Sequence, residues 1–449
     1  MTASSSITAD SLALLRQAAA TPLYTCPGET YPISQSVHLA RLAAFYPKCR
    51  DCPARTETGN LPQETLEVLR STERRVERPT LFEAEGARGV YLNELNRDSA
   101  ARIAGAFARR LWDDAPLTAG TDQPQSPQTR LRRSEPLVVI GYDQRPSSPD
   151  IFAGVASMLG RMSCRVVDIS LTTRPCFDFA VDHLAAAGGV FVTGSGCGPS
   201  WTGLDFVGRQ AVPLSQGGEL DAVAACFVAG YTRPTRSSAP RRAFQANVPY
   251  EAGLWKHFHA LRPLEVCAAT SERLTRELLA RLFDKLPCRL EILDIPSRVR
   301  NVHDAGDPDV VRLAKRLRAI DADLGLLIDD DDRRCGFVDE RGELVAAVDV
   351  SNLLAELARS ESREATIVVE SAAQGEMTMA ATAGGDAQES LARTMLRTQA
   401  VLGVGTTGRY WSYETRPLCD AVVTLAKVLQ VLSQSDQSFS QRVASRQST

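Results

Sequence analysis

Nowhere does the sequence approach the run of roughly 18 apolar residues that a membrane-crossing helix needs. No charge of one sign dominates either: 51 basic side chains face 54 acidic ones, a formal net charge of −3. Nothing in that balance draws the chain to nucleic acid or to an anionic membrane. The first residues, MTASSSITADSLALLRQAAA, lack the basic start and sustained apolar centre of a signal peptide, so a cytoplasmic address is expected. A disulfide framework is absent as well. Most of the 11 cysteines sit singly in apolar runs, as Cys226 and Cys267 do, and read as small buried hydrophobes of a reduced compartment.

What is present fits a soluble globular protein, with 44% hydrophobic and 23% charged residues and length for about three domains. Residues 1–78 stand apart, with an amphipathic stretch at 11–20, a Cys- and Pro-containing segment, and a polar helix at 62–78. From Pro79 onward, short apolar runs alternate with helix-length segments. Strands are expected at 137–140, 165–169, 189–193, 265–269, 290–295, 324–328 and 365–369. Helices are expected at 97–112, 149–161, 271–285, 307–320, 348–357 and 388–399. That alternation predicts doubly wound α/β units with mainly parallel sheets. The Pro-, Thr- and Gln-rich segment 114–136 reads as a flexible surface insertion. Boundaries at 233–246 and 341–348 give domains 79–245, 246–345 and 346–435, and the polar residues 436–449 read as a disordered tail.

Three loops carry the chemistry. In VFVTGSGCGPSWTGLDF, 190–206, a strand runs into a glycine-rich bend that presents Ser195 at the carboxyl edge of a sheet. Such turns are common, and a plain turn is the competing reading. In LGLLIDDDDRRCGFVDERG, 324–342, a buried strand opens into four consecutive aspartates. Alternate carboxylates there suit a hard cation such as Mg²⁺, although acidic runs are more often solvated turns. Upstream, LFEAEGARGVY (81–91) precedes VVIGYDQRPSSPDIFAGVASML (138–159), where Ser147-Ser148-Pro149 opens a helix.

In this order, the pieces resemble the α-D-phosphohexomutase superfamily, the phosphomannomutases and phosphoglucomutases. Phe82, Gly86, Arg88 and Gly89 match its F-G-T-D-G-I-R-G. Gly141, Asp143, Arg145, Ser147 and Ser148 match G-R-D-x-R-x-S-S. Thr193, Ser195, Pro199 and Gly203 match T-A-S-H-N-P-x-x-Y-N-G-x-K, and Asp329, Asp331 and Arg334 match D-G-D-x-D-R. T-T-R-P at 172–175 and V-D-E-R-G at 338–342 support the set. The resemblance spans about 80–430 and implies three consecutive α/β/α sandwiches plus a small N-terminal module. It also implies a phosphorylated hexose as ligand, Ser195 as phosphoryl carrier with Arg88 beside it, phosphate or sugar contacts from Asp143 and Arg145, and Mg²⁺ on Asp329 and Asp331.

Departures from the family pattern bear on that chemistry. Arg333 replaces the third aspartate of the metal loop. Two carboxylates and a serine phosphate would hold Mg²⁺ only weakly beside a guanidinium, and the sharper expectation is Arg333 pairing with Asp329 and Asp331 in the metal's stead. Gly196 stands for the family histidine and Asp205 for its lysine, which places an anion near the phosphoryl group. The sugar loop G-G-E-E-S-G-H corresponds to GVGTTGR, 403–409, where Gly405 and Thr406 replace both glutamates and only Thr407 and Gly408 keep the outline. Arg334 completes the expected phosphate and sugar contacts. The R-x-S-G-T-E-P clamp of the family's fourth domain does not occur in the sequence. These losses point to a catalytically impaired phosphosugar-binding or scaffolding relative. The alternative is an active hexose 1-phosphate/6-phosphate mutase that uses Ser195 with altered or partner-assisted catalysis, the partner classes being another protein or a homo-oligomer.

In the N-terminal segment, Cys49-x₂-Cys52 with Cys26 and His38 has the ligand types of a structural Cys₃His zinc site. The competing reading is two surface thiols, an unrelated cysteine and a helix-face histidine. The other histidines, including His303, are scattered and carry no expectation.

Overall fold

The computed structural model describes residues 22–44, 46–71, 80–119, 131–370, 381–382 and 387–447. The amphipathic stretch at 11–20, residues 72–78 of the polar helix and the centre of the insertion lie outside them. The chain forms two compact units, one of Met1–Arg78 with Val90–Glu94, the other of Pro79–Gly89 with Leu95–Thr449.

The smaller unit pairs Leu23–Tyr24 with Ile33–Ser34 and continues into helix Gln35–Ala43. The Ser34 hydroxyl caps that helix by accepting from the Val37 N–H. Its core is slight: Leu42, Cys49 and Leu69, with Leu39, Tyr46 and Leu61 partly buried around them.

The larger unit contains three mixed α/β sheets, one of seven strands and two of five, built on a shared plan. In the first, Leu137–Tyr142 lies between parallel neighbours Arg165–Leu171 and Gly188–Val192, and Trp201–Val207 then adds antiparallel. In the second, Glu265–Thr270 lies between Arg289–Asp294 and Leu324–Ile328, and Cys335–Asp339 adds antiparallel. In the third, Ile367–Val369 lies between Ala381–Thr382 and Leu402–Val404, and Trp411–Tyr413 adds antiparallel. Each parallel centre is a continuous apolar run, as expected of strands covered on both faces, and all five residues of Leu324–Ile328 are buried. A glycine recurs on the third strand of each plan, where helix side chains press close. An added Cβ would meet Phe177 Cζ at 2.7 Å from Gly189, Leu317 Cδ1 at 2.8 Å from Gly325 and Met395 Sδ at 2.6 Å from Gly403.

The antiparallel strands were not expected from sequence, nor were helices Arg174–His183, Glu219–Ala229, Asn247–Leu254 and Ala421–Ser433. Ala421–Ser433 is buried nearly all round, so no polar face marks its period. Two further segments carry structure that the sequence reading did not give them. The insertion starts and ends as an antiparallel ribbon, Leu117–Ala119 against Leu131–Arg133. The presumed disordered tail carries helix Phe439–Gln447. Its single aromatic, Phe439, is 1% exposed and packs edge-on against Phe337, while Glu340 accepts the Ser438 and Ser440 hydroxyls. One buried ring and a cap anchor a segment whose composition is otherwise polar.

Candidate functional site at three equivalent loops

The shared plan fixes where the three motifs lie. Each occupies the turn at which the third parallel strand hands over to its antiparallel neighbour: 193–200, 329–334 and 405–410. The second and third turns are joined directly. The Cys335 N–H donates to the Gly408 carbonyl at 2.9 Å, and Arg334 and Arg409 form a β-bridge.

In the serine loop, four consecutive N–H groups already have acceptors inside the protein. Gly194 donates to Asp143 Oδ2, Ser195 to Thr193 Oγ1, Gly196 to Asp330 Oδ1 and Cys197 to the Gly194 carbonyl. Arg145 binds the loop from beneath, donating to the Gly198 and Cys197 carbonyls at 2.9 and 3.2 Å and to Asp330 Oδ2 at 2.7 Å. Arg88 reaches the Ser195 carbonyl at 3.4 Å, as the resemblance implied, but its Nη2 is ion-paired with Asp205 at 2.7 Å. The second oxygen of Asp205 takes Arg174, which also holds Asp178. Asp205 therefore balances two buried guanidiniums, where the sequence reading gave only an anion near the phosphoryl group.

The acidic loop is organised by arginines. Asp331 Oδ1 accepts the Arg333 and Arg334 N–H groups at 2.9 and 2.8 Å, and its Oδ2 accepts Arg409 Nη2 at 2.9 Å. Burial pushes the Asp331 carboxyl up, but Arg409, Arg333 and Arg334 outweigh it and hold the group well below the usual carboxylate range. The expected pairing of Arg333 with Asp329 and Asp331 is only partly present. Its Nη2 stays 3.6 Å from Asp331, and its hydrogen bond goes to Gln388 Oε1 at 2.9 Å. The cation seated on Asp331 is Arg409, which also forks onto Glu85. Asp329 has a weak partner in Arg334 at 3.4 Å, and burial with Asp330 and Asp331 pushes it up to about 7. A dication would have to displace Arg409 from Asp331 and sit beside Arg333, so this donor set does not suit Mg²⁺.

The third loop contains a carboxylate after all. Glu370, at the end of the adjacent strand, accepts the Thr406 N–H at 3.1 Å and the Thr407 hydroxyl at 2.7 Å. Its Oε2 lies 1.9 Å from where a Cβ on Gly405 would stand, so the glycine makes room for it. Gly408 has φ +76°, and an added Cβ would meet His303 Nε2 at 2.1 Å. Burial and Arg334 lower the His303 pKa, which favours the neutral imidazole.

Sequence reasoning thus named Ser195, Asp143, Arg145, Asp329, Asp331, Arg333, Arg334, Thr407 and Gly408, which lie on loops, and Arg88, which lies on strand Gly86–Val90 and reaches the serine loop. It missed Asp330, Arg409, Glu85, Arg174, Glu370 and His303. Asp330 had a signal, since it occupies the glycine of D-G-D-x-D-R; His303 had none.

The zinc set is not assembled in the smaller unit. The His38 ring stacks on Tyr24 at 4.0 Å and its Nε2 lies 3.0 Å from the Glu57 carbonyl. Cys26 Sγ accepts Arg41 Nη1 at 3.0 Å. Cys49 is pushed up to about 11 by burial and by Cys26 and Cys52. Among the described residues, no three His, Cys, Asp or Glu side chains are grouped to hold a metal.

Residues 79–227 match the family model for phosphoglucomutase/phosphomannomutase, alpha/beta/alpha domain I. A protein of Xanthomonas campestris named "Phosphohexose mutases" is 27% identical over 283 residues, covering 61% of this chain and 58% of that protein. The chain thus spans little more than half the length of that relative. A phosphoglucosamine mutase of Leuconostoc mesenteroides is 24% identical over 386 residues, covering 81% of this chain and 80% of its own. Among solved structures, a putative phosphomannomutase from Thermus thermophilus superposes with TM-score 0.66 at 20% identity, covering 83% of this chain and 84% of its own. With the motifs on equivalent loops of three sheets, residues 79–227 carry the phosphoglucomutase/phosphomannomutase domain I, and the chain as a whole is similar to members of the α-D-phosphohexomutase superfamily.

Proposed function

We propose that this chain binds a phosphorylated hexose where the acidic and third loops meet, and that it is impaired in phosphoryl transfer. The observation that carries this reading is the arginine cluster occupying the family's metal loop. Arg409 sits on Asp331, with Arg333 and Arg334 beside it. The Nε atoms of all three arginines are buried with no hydrogen-bond partner among the described residues. Phosphate and sugar oxygens are the acceptors that a cluster of guanidinium donors recruits. Guanidinium groups suit such oxygens, and Arg334 remains partly exposed to offer a first contact. Thr407, held by Glu370, and Gly408 present the third loop to the sugar.

Transfer needs more than binding. Phosphoryl transfer is driven by positioned charge at the moving group. Here Arg88, the guanidinium that reaches the Ser195 carbonyl, is neutralised by Asp205, and Asp331 of the metal loop is neutralised by Arg409. The names of the relatives, phosphoglucosamine mutase and phosphomannomutase, support hexose phosphates as the ligand class.

Calorimetry with glucose 1-phosphate, mannose 1-phosphate and glucose 1,6-bisphosphate tests the reading. Saturable binding is expected without added Mg²⁺, unchanged by EDTA and weakened about tenfold or more by Arg334→Ala. No binding of any of the three, or binding that requires Mg²⁺, contradicts it.

A further inference from the structure

Asp330 of the acidic loop reaches the serine loop. Its Oδ1 accepts the Gly196 N–H at 3.1 Å and its Oδ2 accepts Arg145 Nη2 at 2.7 Å. The side chain is about 5% exposed. Asp330 stands where the family motif has glycine, so the carboxylate is a departure from that motif.

A loop N–H and a buried guanidinium are the donors that an anion on the serine loop would take. We infer that Asp330 is the serine loop's built-in anion: its carboxylate occupies the Gly196 N–H and the Arg145 guanidinium that a phosphoryl group at Ser195 would use, and it keeps the loop free of phosphate. A phosphoryl group on Ser195 would find the loop's N–H groups occupied and a carboxylate beside it. Between buried like charges that repulsion is large. The arrangement also ties the first and second sheets together through a fixed ion pair. It deepens the proposal above by specifying how the same cleft is held shut at its serine end.

The contact decides what the loop accepts, so the probe is inorganic phosphate, measured by calorimetry on the full chain. The wild-type protein is expected to show no saturable binding tighter than about 1 mM at the serine loop. Asp330→Gly, which restores the motif residue, is expected to tighten phosphate binding at least tenfold. Arg145→Gln added to that variant is expected to abolish the gain, because Arg145 is the guanidinium that Asp330 releases. Asp330→Asn keeps the size and one acceptor while removing the charge, and is expected to give a smaller gain in the same direction. It decides the matter if the glycine variant does not fold. Equal phosphate affinity in wild type and both Asp330 variants overturns the inference, as does a gain that survives Arg145→Gln. Hexose phosphate binding to the wild type is read separately, so failure of either proposal is distinguishable from failure of the other.

Discussion

Arg409 Nη2 lies 2.9 Å from Asp331 Oδ2, and the same guanidinium reaches Glu85 from the first sheet's outermost turn. One arginine of the third loop thus neutralises the central carboxylate of the second. The expectation from sequence was that Arg333 would do so, because it replaces a family aspartate. Adjacent position did not decide the pairing. Arg333 is drawn off by Gln388, while the β-bridge between Arg334 and Arg409 delivers Arg409 to Asp331.

A prediction on metal binding follows from that pairing. Arg333→Asp alone leaves Arg409 on Asp331 and is expected to gain no measurable Mg²⁺ affinity. Adding Arg409→His, the residue of the family's loop, frees Asp331 and is expected to produce saturable Mg²⁺ binding in calorimetry. Mg²⁺ binding by the single variant, or by the wild type, contradicts this assignment.

Asp205 is the shared counter-ion of two buried arginines, so restoring the family's lysine there is expected to damage the fold. Asp205→Lys would set a third cation against Arg88 and Arg174. Removing one partner of a buried ion pair costs about 3–5 kcal/mol, and a like charge adds to that. Urea unfolding followed by circular dichroism measures it. A variant within about 1 kcal/mol of wild type would mean that Asp205 is dispensable.

Burial pushes the Asp420 carboxyl up to about 6, from an ordinary 3.8, although Tyr250 and the Val422 and Val423 N–H groups donate to it. The folded protein therefore keeps a proton that the unfolded chain has lost across about pH 4–6. This group's contribution to stability falls as pH rises through that window and stays reduced above it. Asn accepts the same N–H groups as a helix cap but does not titrate. Asp420→Asn is expected to flatten the pH dependence of unfolding over pH 4–6 and to leave stability at pH 7 equal or higher. An unchanged pH profile contradicts it.

Much of this fold was legible because apolar runs of five or six residues, such as Leu324–Ile328, specify parallel strands directly. The antiparallel partners were not. Trp411–Tyr413 and Pro417–Cys419 are three-residue strands with no periodicity to read, and their place is set by the loop that precedes them. The site divides in the same way. Ser195, Arg88, Asp329 and Asp331 lie in motifs and could be named. Glu370 and His303 are distant in sequence from the loop they support, and only packing against Gly405 and Gly408 brings them there. The zinc expectation rested on ligand types, the Cys49-x₂-Cys52 spacing and the clustering of cysteines, and His38 places its ring on Tyr24 and Glu57.

The central claim is that a cleft so filled with its own ion pairs does not carry a phosphoryl group between the two ends of a hexose. Lost electrostatic stabilisation costs about 10²–10³-fold per donor in other enzymes, and at least two such positions, Arg88 and the metal loop, are neutralised here. The most direct measurement is a coupled mutase assay of the purified chain. It uses glucose and mannose 1-phosphates, the matching bisphosphate and Mg²⁺, with Ser195→Ala as control. The account predicts turnover indistinguishable from that control. Turnover of about 1 s⁻¹ or faster, the low end of typical enzymes, abolished by Ser195→Ala, would contradict it and establish a working mutase.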